Sequence, residues 1–136
     1  MALGINRGLG GGGVSPEPLD TTLPDLLGRY SGSTNKTSTI LVPKIDSSQV
    51  LRITGKNNDT SYYFNNYLYV DFSIDGSNFV EIYASSVRPF PVGGAVTTLN
   101  IPLTAVVGHS GYFRIRTTND SRGSIDISYI ACVVST

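Results

Sequence analysis

At 136 residues the chain has room for one domain, and ten basic side chains against ten acidic ones leave it without net charge, at a pI near 6.5. That balance argues against nucleic acid as a partner, and no apolar run approaches the ~20 residues of a helical membrane span. The single cysteine, Cys132, excludes an internal disulfide framework and a cysteine-built zinc site. Helix formers are scarce, while Thr, Ser, Val, Ile and Tyr abound, so the composition points to an all-β protein.

Six glycines fall between Gly4 and Gly13, and Pro16, Pro18 and Pro24 follow. Such a segment cannot bury enough surface to order itself. Residues 1–36 therefore read as an irregular attachment arm, held by sister subunits or by a larger assembly. Leu3, Ile5 and Leu9, spaced by glycines, are small apolar pegs on a pliable backbone. With Val14, Leu19, Leu23, Leu26 and Leu27 they form the set expected to bury against partners. Within the arm only Leu23–Tyr30 has the pattern for a helical turn or two, which Gly28 would end. Met1–Gly13 contains no continuous apolar stretch, so a signal peptide is not expected and synthesis in a reducing cytoplasm is.

Residues 37–136 read as short strands with turn chemistry between them, a β-sandwich domain. The predicted strands are Ser38–Val42, Gln49–Thr54, Thr60–Phe64, Tyr67–Ile74, Phe79–Ala84, Val96–Leu103, Tyr112–Thr118 and Ser124–Val134. About eight strands of this length suit an antiparallel jelly roll. The sharpest pattern is in residues 67–84. Leu68, Val70, Phe72 and Ile74 alternate with Tyr67, Tyr69, Asp71 and Ser73, and Val80 and Ile82 are the core candidates of the return strand. An odd-length loop, Asp75-Gly76-Ser77, places Phe72 beside Val80 and Val70 beside Ile82, with Gly76 or Asn78 left-handed. Tyr67, Tyr69 and Tyr83 then share the opposite face with Asp71 and Glu81. Such a face is an ordinary amphipathic surface, an interface with a subunit or host protein, or a platform on which sugars stack.

The last strand is apolar on both sides. Ile125, Ile127, Tyr129, Ala131 and Val133 alternate with Ile130, Cys132 and Val134 near its end. Cover for Ile130 and Val134 is expected from the arm or from a neighbouring chain, which argues for an oligomer.

Little in the sequence carries chemistry. His109, the single histidine, lies in the turn Gly108-His109-Ser110-Gly111 with no cysteine or carboxylate close in sequence. Gly8 to Gly13 formally matches G-x-G-x-x-G but has no strand before it or helix after it. Asp71-x-Ser73-x-Asp75-Gly76 opens like a calcium loop, yet position twelve is Ile82. The sequons at Asn35, Asn58 and Asn119 have meaning only on a secretory route. Arg114 and Arg116 share one face of a strand, where they either meet an acidic partner or stand solvated. No catalytic residues, metal ligands or cofactor are expected, and the chain is read as non-enzymatic.

Ser73-x-Asp75-Gly76-x-x-Phe79-x-x-Ile82, with the later Tyr112-Phe113-Arg114-Ile115-Arg116 and the long final strand, resembles the galactose-binding-like (discoidin-type) jelly roll over residues 60–134. Phe79 stands where that family often has tryptophan. Taken whole, a Gly/Pro-rich arm ahead of a small Thr/Ser/Tyr-rich sandwich is similar to virion proteins of tailed bacteriophages, of the capsid decoration (cement) or short tail and fibre types. That resemblance implies a homotrimer whose arms staple the major capsid protein or another virion protein, localised to the virion; from charge and apolar run length, neither nucleic acid nor membrane is expected as a partner. The alternative it implies is a tail-fibre or receptor-binding module that recognises a glycan.

Overall fold

The structure, a computed structural model, describes residues 18–62, 64–120 and 123–135. Among the described residues, nine strands form two antiparallel sheets. They are β1 (Thr21–Thr22), β2 (Gly28–Ser31), β3 (Thr34–Thr37), β4 (Gln49–Asn57), β5 (Asn66–Ser73), β6 (Val80–Ala84), β7 (Thr97–Pro102), β8 (Tyr112–Asn119) and β9 (Ser124–Val134). One sheet runs β1-β9-β4-β7, with β2 beside β1 on the same edge of β9; the other runs β3-β8-β5-β6. When β1 and β2 are taken as one interrupted strand, the orders are first–eighth–third–sixth and second–seventh–fourth–fifth. These are the nested Greek keys of a jelly-roll sandwich.

The core between the sheets is built from Leu51 and Ile53 of β4, Leu68, Val70 and Phe72 of β5, Phe113 and Ile115 of β8, and Ile125 and Ile127 of β9. Phe72 and Phe113 meet edge to face, with centroids 5.2 Å apart. At the start of β4–β9 pairing, alternation alone would turn the later apolar residues of β9 outward. A β-bulge prevents it: Thr54 pairs with Tyr129 and Gly55 with Ile127, leaving Ser128 as the extra residue. The bulge reverses the parity, so Ile130 and Cys132 join Ile125 and Ile127 in the core. Val134 follows them on that face, half-buried at the strand end. The expectation that Ile130 takes its cover from the arm or a neighbouring chain is thereby corrected, since Ile130 lies in the chain's own core.

The boundary at residue 36 is also corrected. β1 and β2 pair with β9, and β3 pairs with β8. Between β1 and β2 a single 3-10 turn, Pro24–Leu26, stands where a helical turn or two was predicted, and Gly28, at φ +114°, ends it. Leu23 and Leu26 have no exposed surface and belong to the chain's own core, and Leu27 packs against it. Leu23 and Leu26 are thus spent on folding, and Leu27 is so in part. The segment is locked by polar bonds as well. The buried Tyr30 hydroxyl donates to the Leu26 carbonyl (2.6 Å), Lys36 Nζ lies 4.5 Å from the Tyr30 ring centroid, and Asp25 accepts from Ser38 Oγ and the Thr39 amide (both 2.8 Å).

Two other predicted strands differ. Residues 38–41 run beside β8 without strand pairing, and Thr60–Phe64 forms a turn in its described residues, with Tyr62 75% exposed. Leu3, Ile5, Leu9 and Val14 lie outside the described residues.

Candidate functional site

Three surfaces gather side chains that could serve a function. The first is the outer face of the four-stranded sheet. Pairing of β5 with β8 sets Tyr69 opposite Arg116 and Asp71 opposite Arg114. Asp71 is 1% exposed and accepts from Arg114 Nε (2.7 Å), Arg116 Nε (2.6 Å) and Arg116 Nη2 (3.0 Å), while Arg116 also reaches Glu81 Oε1 (2.7 Å). Arg116 stacks on Tyr69 (4.8 Å to the centroid) and Arg114 on Phe79 (4.5 Å). Burial pushes the Asp71 carboxyl up, but the hydrogen bonds from Arg116 and Arg114 outweigh it and hold the group below the ordinary range. The acidic partner of the arginine pair is therefore in the same chain. Sequence reasoning missed it because it rests on the β5–β8 register, although the alternation of Tyr69/Asp71 and of Arg114/Arg116 carries the signal.

Tyr67 and Tyr69 share this face, half-buried. Tyr83 does not. Phe72 pairs with Val80 and Asp71 with Glu81, as the odd loop requires, but Val70 pairs with Tyr83, leaving Ile82 as an extra residue. This second bulge turns Tyr83 towards the core, where it packs with Ile82. The tyrosine cluster is thus reduced to Tyr67 and Tyr69, and the Val70–Ile82 pairing is corrected.

The second surface is an apolar pocket of about 460 Å³ at one end of the sandwich. The β5–β6 hairpin supplies Ile74, Val80 and Ile82, and the loop after β7 supplies Ala105, Val106 and His109. Ile74 and Val80, expected in the core, are 63% and 67% exposed at its mouth. Their place explains it: Ile74 lies in the hairpin loop past the end of β5, and Val80 opens β6, which among the described residues is an edge strand. Asp75 and Glu81 stand at the rim. The Asp75 carboxylate caps its own turn, accepting from the Asn78 and Ser77 amides (2.8 and 2.9 Å), Asn78 Nδ2 (2.8 Å) and Ser73 Oγ (2.9 Å). Those bonds hold its pKa far below the usual carboxylate range. Gly76, at φ +81°, supplies the left-handed residue of that turn.

The third surface is the opposite end. Buried Asn57, Asp59 and Asn66 bond one another there, Asn66 Nδ2 donating to Asp59 Oδ2 at 3.0 Å and Asn57 Oδ1 accepting the Asp59 amide at 2.9 Å. Burial raises the Asp59 pKa above its ordinary value. Beside this network Arg88, at φ +53°, stacks on the exposed Tyr62 (5.4 Å) and donates to Asn65 Oδ1 (2.8 Å). A non-glycine residue in the left-handed region is a strained placement of a kind that clusters at binding loops.

Among the described residues no three His, Cys, Asp or Glu side chains come together as metal ligands, and no helix is long and apolar enough to cross a membrane. Cys132 is buried in the core and its thiol is pushed up to about 11, chiefly by burial. No family model matches the chain, and no curated protein does.

Proposed function

We propose that this chain is a non-enzymatic structural protein of a virion, of the capsid-decoration type, attached through its N-terminal residues and assembled as a homotrimer. The observation that carries the reading is the completeness of the sandwich. Among the described residues its core is closed by side chains from Leu23 to Val133, and two full sheets enclose it. Leu3, Ile5, Leu9 and Val14 lie outside the described residues, and Leu19, near the start of the described chain, is 66% exposed. Apolar residues ahead of a closed core are a means by which a small domain is fastened to something larger, and linked copies multiply the affinity of each attachment. Co-sedimentation tests this: shells bearing the chain should retain it, and shells offered the chain lacking residues 1–14 should not. Equal retention of both would remove the N-terminal residues as the attachment device.

A second reading, a glycan-recognising tail-fibre module, is favoured by one feature. Tyr62, Arg88 and Asn65 place an exposed aromatic ring and polar donors together on strained loops. An array of glycans read with the intact chain and with Tyr62→Ala separates the two readings, since only recognition through this end depends on Tyr62.

A further inference from the structure

The cavity of about 460 Å³ at the hairpin end of the sandwich has the size of a small-ligand site. Buried Phe72 and Val106 line it from the core side, half-buried Ile82 adds to the wall, and Ile74 and Val80 stand exposed at the mouth. Both walls are fixed by the chain's own bonds. The Asp75 carboxylate holds the hairpin turn. On the facing loop the Val106 amide donates to the Leu103 carbonyl (3.0 Å) and the His109 amide to that of Val106 (3.1 Å). Ile45 clasps the same loop twice, its carbonyl accepting from the Gly108 amide (2.8 Å) and its amide donating to the His109 carbonyl (3.0 Å). A pocket shaped in advance spares a ligand the ordering cost of binding.

Charge narrows what the pocket can take. Two carboxylates, Asp75 and Glu81, stand among its lining residues, against no lysine or arginine. Glu81 has Oε1 on Arg116 (2.7 Å), so its charge is partly answered within the chain. Asp75 makes no ion pair among the described residues. Three of its four bonds fall on Oδ1 and one, from Asn78 Nδ2, on Oδ2. These bonds keep it ionised at neutral pH, yet all come from neutral groups and leave its charge uncompensated beside an apolar cavity. An anionic ligand would be repelled here, and a neutral one would leave the carboxylate without a partner. Complementarity is met by a molecule with an apolar body and a cationic head that donates hydrogen bonds.

The edge of β6 offers another mode of recognition, pairing with a peptide strand, but the bulge at Ile82 works against it. A bulged edge is twisted away from the flat geometry that a further strand needs. The pocket, rather than the edge backbone, is therefore the recognising element, and a small molecule fits it better than an extended peptide. We infer that the pocket binds a small organic cation, an alkylammonium or arylalkylammonium, with its apolar body against Phe72, Ile82 and Val106 and its head at Asp75 and Glu81. The site is separate from N-terminal attachment and from the Tyr62–Arg88 end, so its fate is independent of both functional readings.

Octylammonium and octanoate, which share an apolar chain and differ in charge, test it on the intact protein. His109 is the single histidine and lines the pocket, so its imidazole resonances are followed without ambiguity. At neutral pH octylammonium should shift them saturably, with a Kd in the millimolar range or tighter, and octanoate should bind about tenfold more weakly or not at all. Affinity for octylammonium should fall about fivefold or more in Asp75→Asn. That substitution also touches the turn, so Ala105→Phe is a second check. Ala105 is exposed and lines the cavity, and the larger ring should block binding without disturbing the core. Absence of a saturable shift through about 10 mM octylammonium would overturn the inference. So would an octanoate affinity equal to that of octylammonium, or an Ala105→Phe chain that binds as the native one does.

Discussion

Replacing Asp71 by Asn keeps the shape of the side chain and removes the charge that two arginines share. The carboxylate is buried and accepts three hydrogen bonds, all from guanidinium groups at 2.6–3.0 Å. Breaking one partner of a fully buried ion pair costs about 3–5 kcal/mol. Here the arginine side chains retain 30% and 32% of their surface in water, so solvent recovers part of that loss and about 2–3 kcal/mol remains. With ~2.1 cal/mol/K of unfolding entropy per residue in a domain of about 120 residues, that is a fall in Tm of roughly 10 °C. Urea unfolding and calorimetry at pH 7 measure it, with Glu81→Gln as the exposed comparison, expected within about 0.5 kcal/mol of the native chain. The pH dependence fixes the cause. Because the folded pKa of Asp71 lies below its unfolded value, its stabilisation is whole above the unfolded carboxylate pKa of about 3.9 and is lost as pH falls through the lower folded value. The difference between native and Asp71→Asn should therefore close as pH falls below about 4. A loss under about 0.5 kcal/mol at pH 7, or a difference that persists unchanged to pH 2, would refute the assignment of Asp71 as the charged centre of this face.

Other substitutions probe the remaining parts. Leu26→Ala should cost about 2–5 kcal/mol in urea unfolding, because Leu26 is a core residue; a cost typical of an exposed leucine would return residues 23–27 to an arm. A chain beginning at residue 15 should unfold at the temperature of the full chain, whereas one beginning at residue 28, which loses β1, Leu23 and Leu26, should fail to fold cooperatively by circular dichroism. Gly111→Ala should destabilise by about 1–3 kcal/mol or more, since the new Cβ would collide with the Ser73 carbonyl and the Phe72 ring; a fully native Tm would contradict the close approach of those strands. Asp59→Asn should leave stability at pH 3 unchanged and raise it at pH 7. The raised folded pKa of Asp59 means that its ionisation costs stability as pH climbs past the unfolded value, and calorimetry at the two pH values checks the sign.

The strands most legible in the sequence were those with plain alternation. Residues 67–74 and 112–118 correspond closely to β5 and β8, and the last strand was bounded correctly. What alternation could not show was where it breaks. One extra residue at Ser128 sends Ile130 and Cys132 inward, and one at Ile82 does the same for Tyr83. A bulge depends on the partner strand, so no count along a single strand reveals it. The segment from Thr21 to Thr37 failed for a different reason. Gly28, Gly32 and many polar residues give it loop composition, while its strands are two to four residues long and draw their stability from β9 and β8. The pocket was hidden in the same way, since Ile74 and Val80 carry a core pattern but lie in and beside the hairpin loop, where the strands end.

The most direct measurement for the structural role is copy number per native particle, by quantitative mass spectrometry of purified assemblies. A decoration protein attached through its N-terminal residues should be present in hundreds of copies, in fixed ratio to the major shell protein. A few to a few tens of copies would move it to a tail or fibre and turn attention to Tyr62 and Arg88. Absence from every particle would contradict the virion assignment.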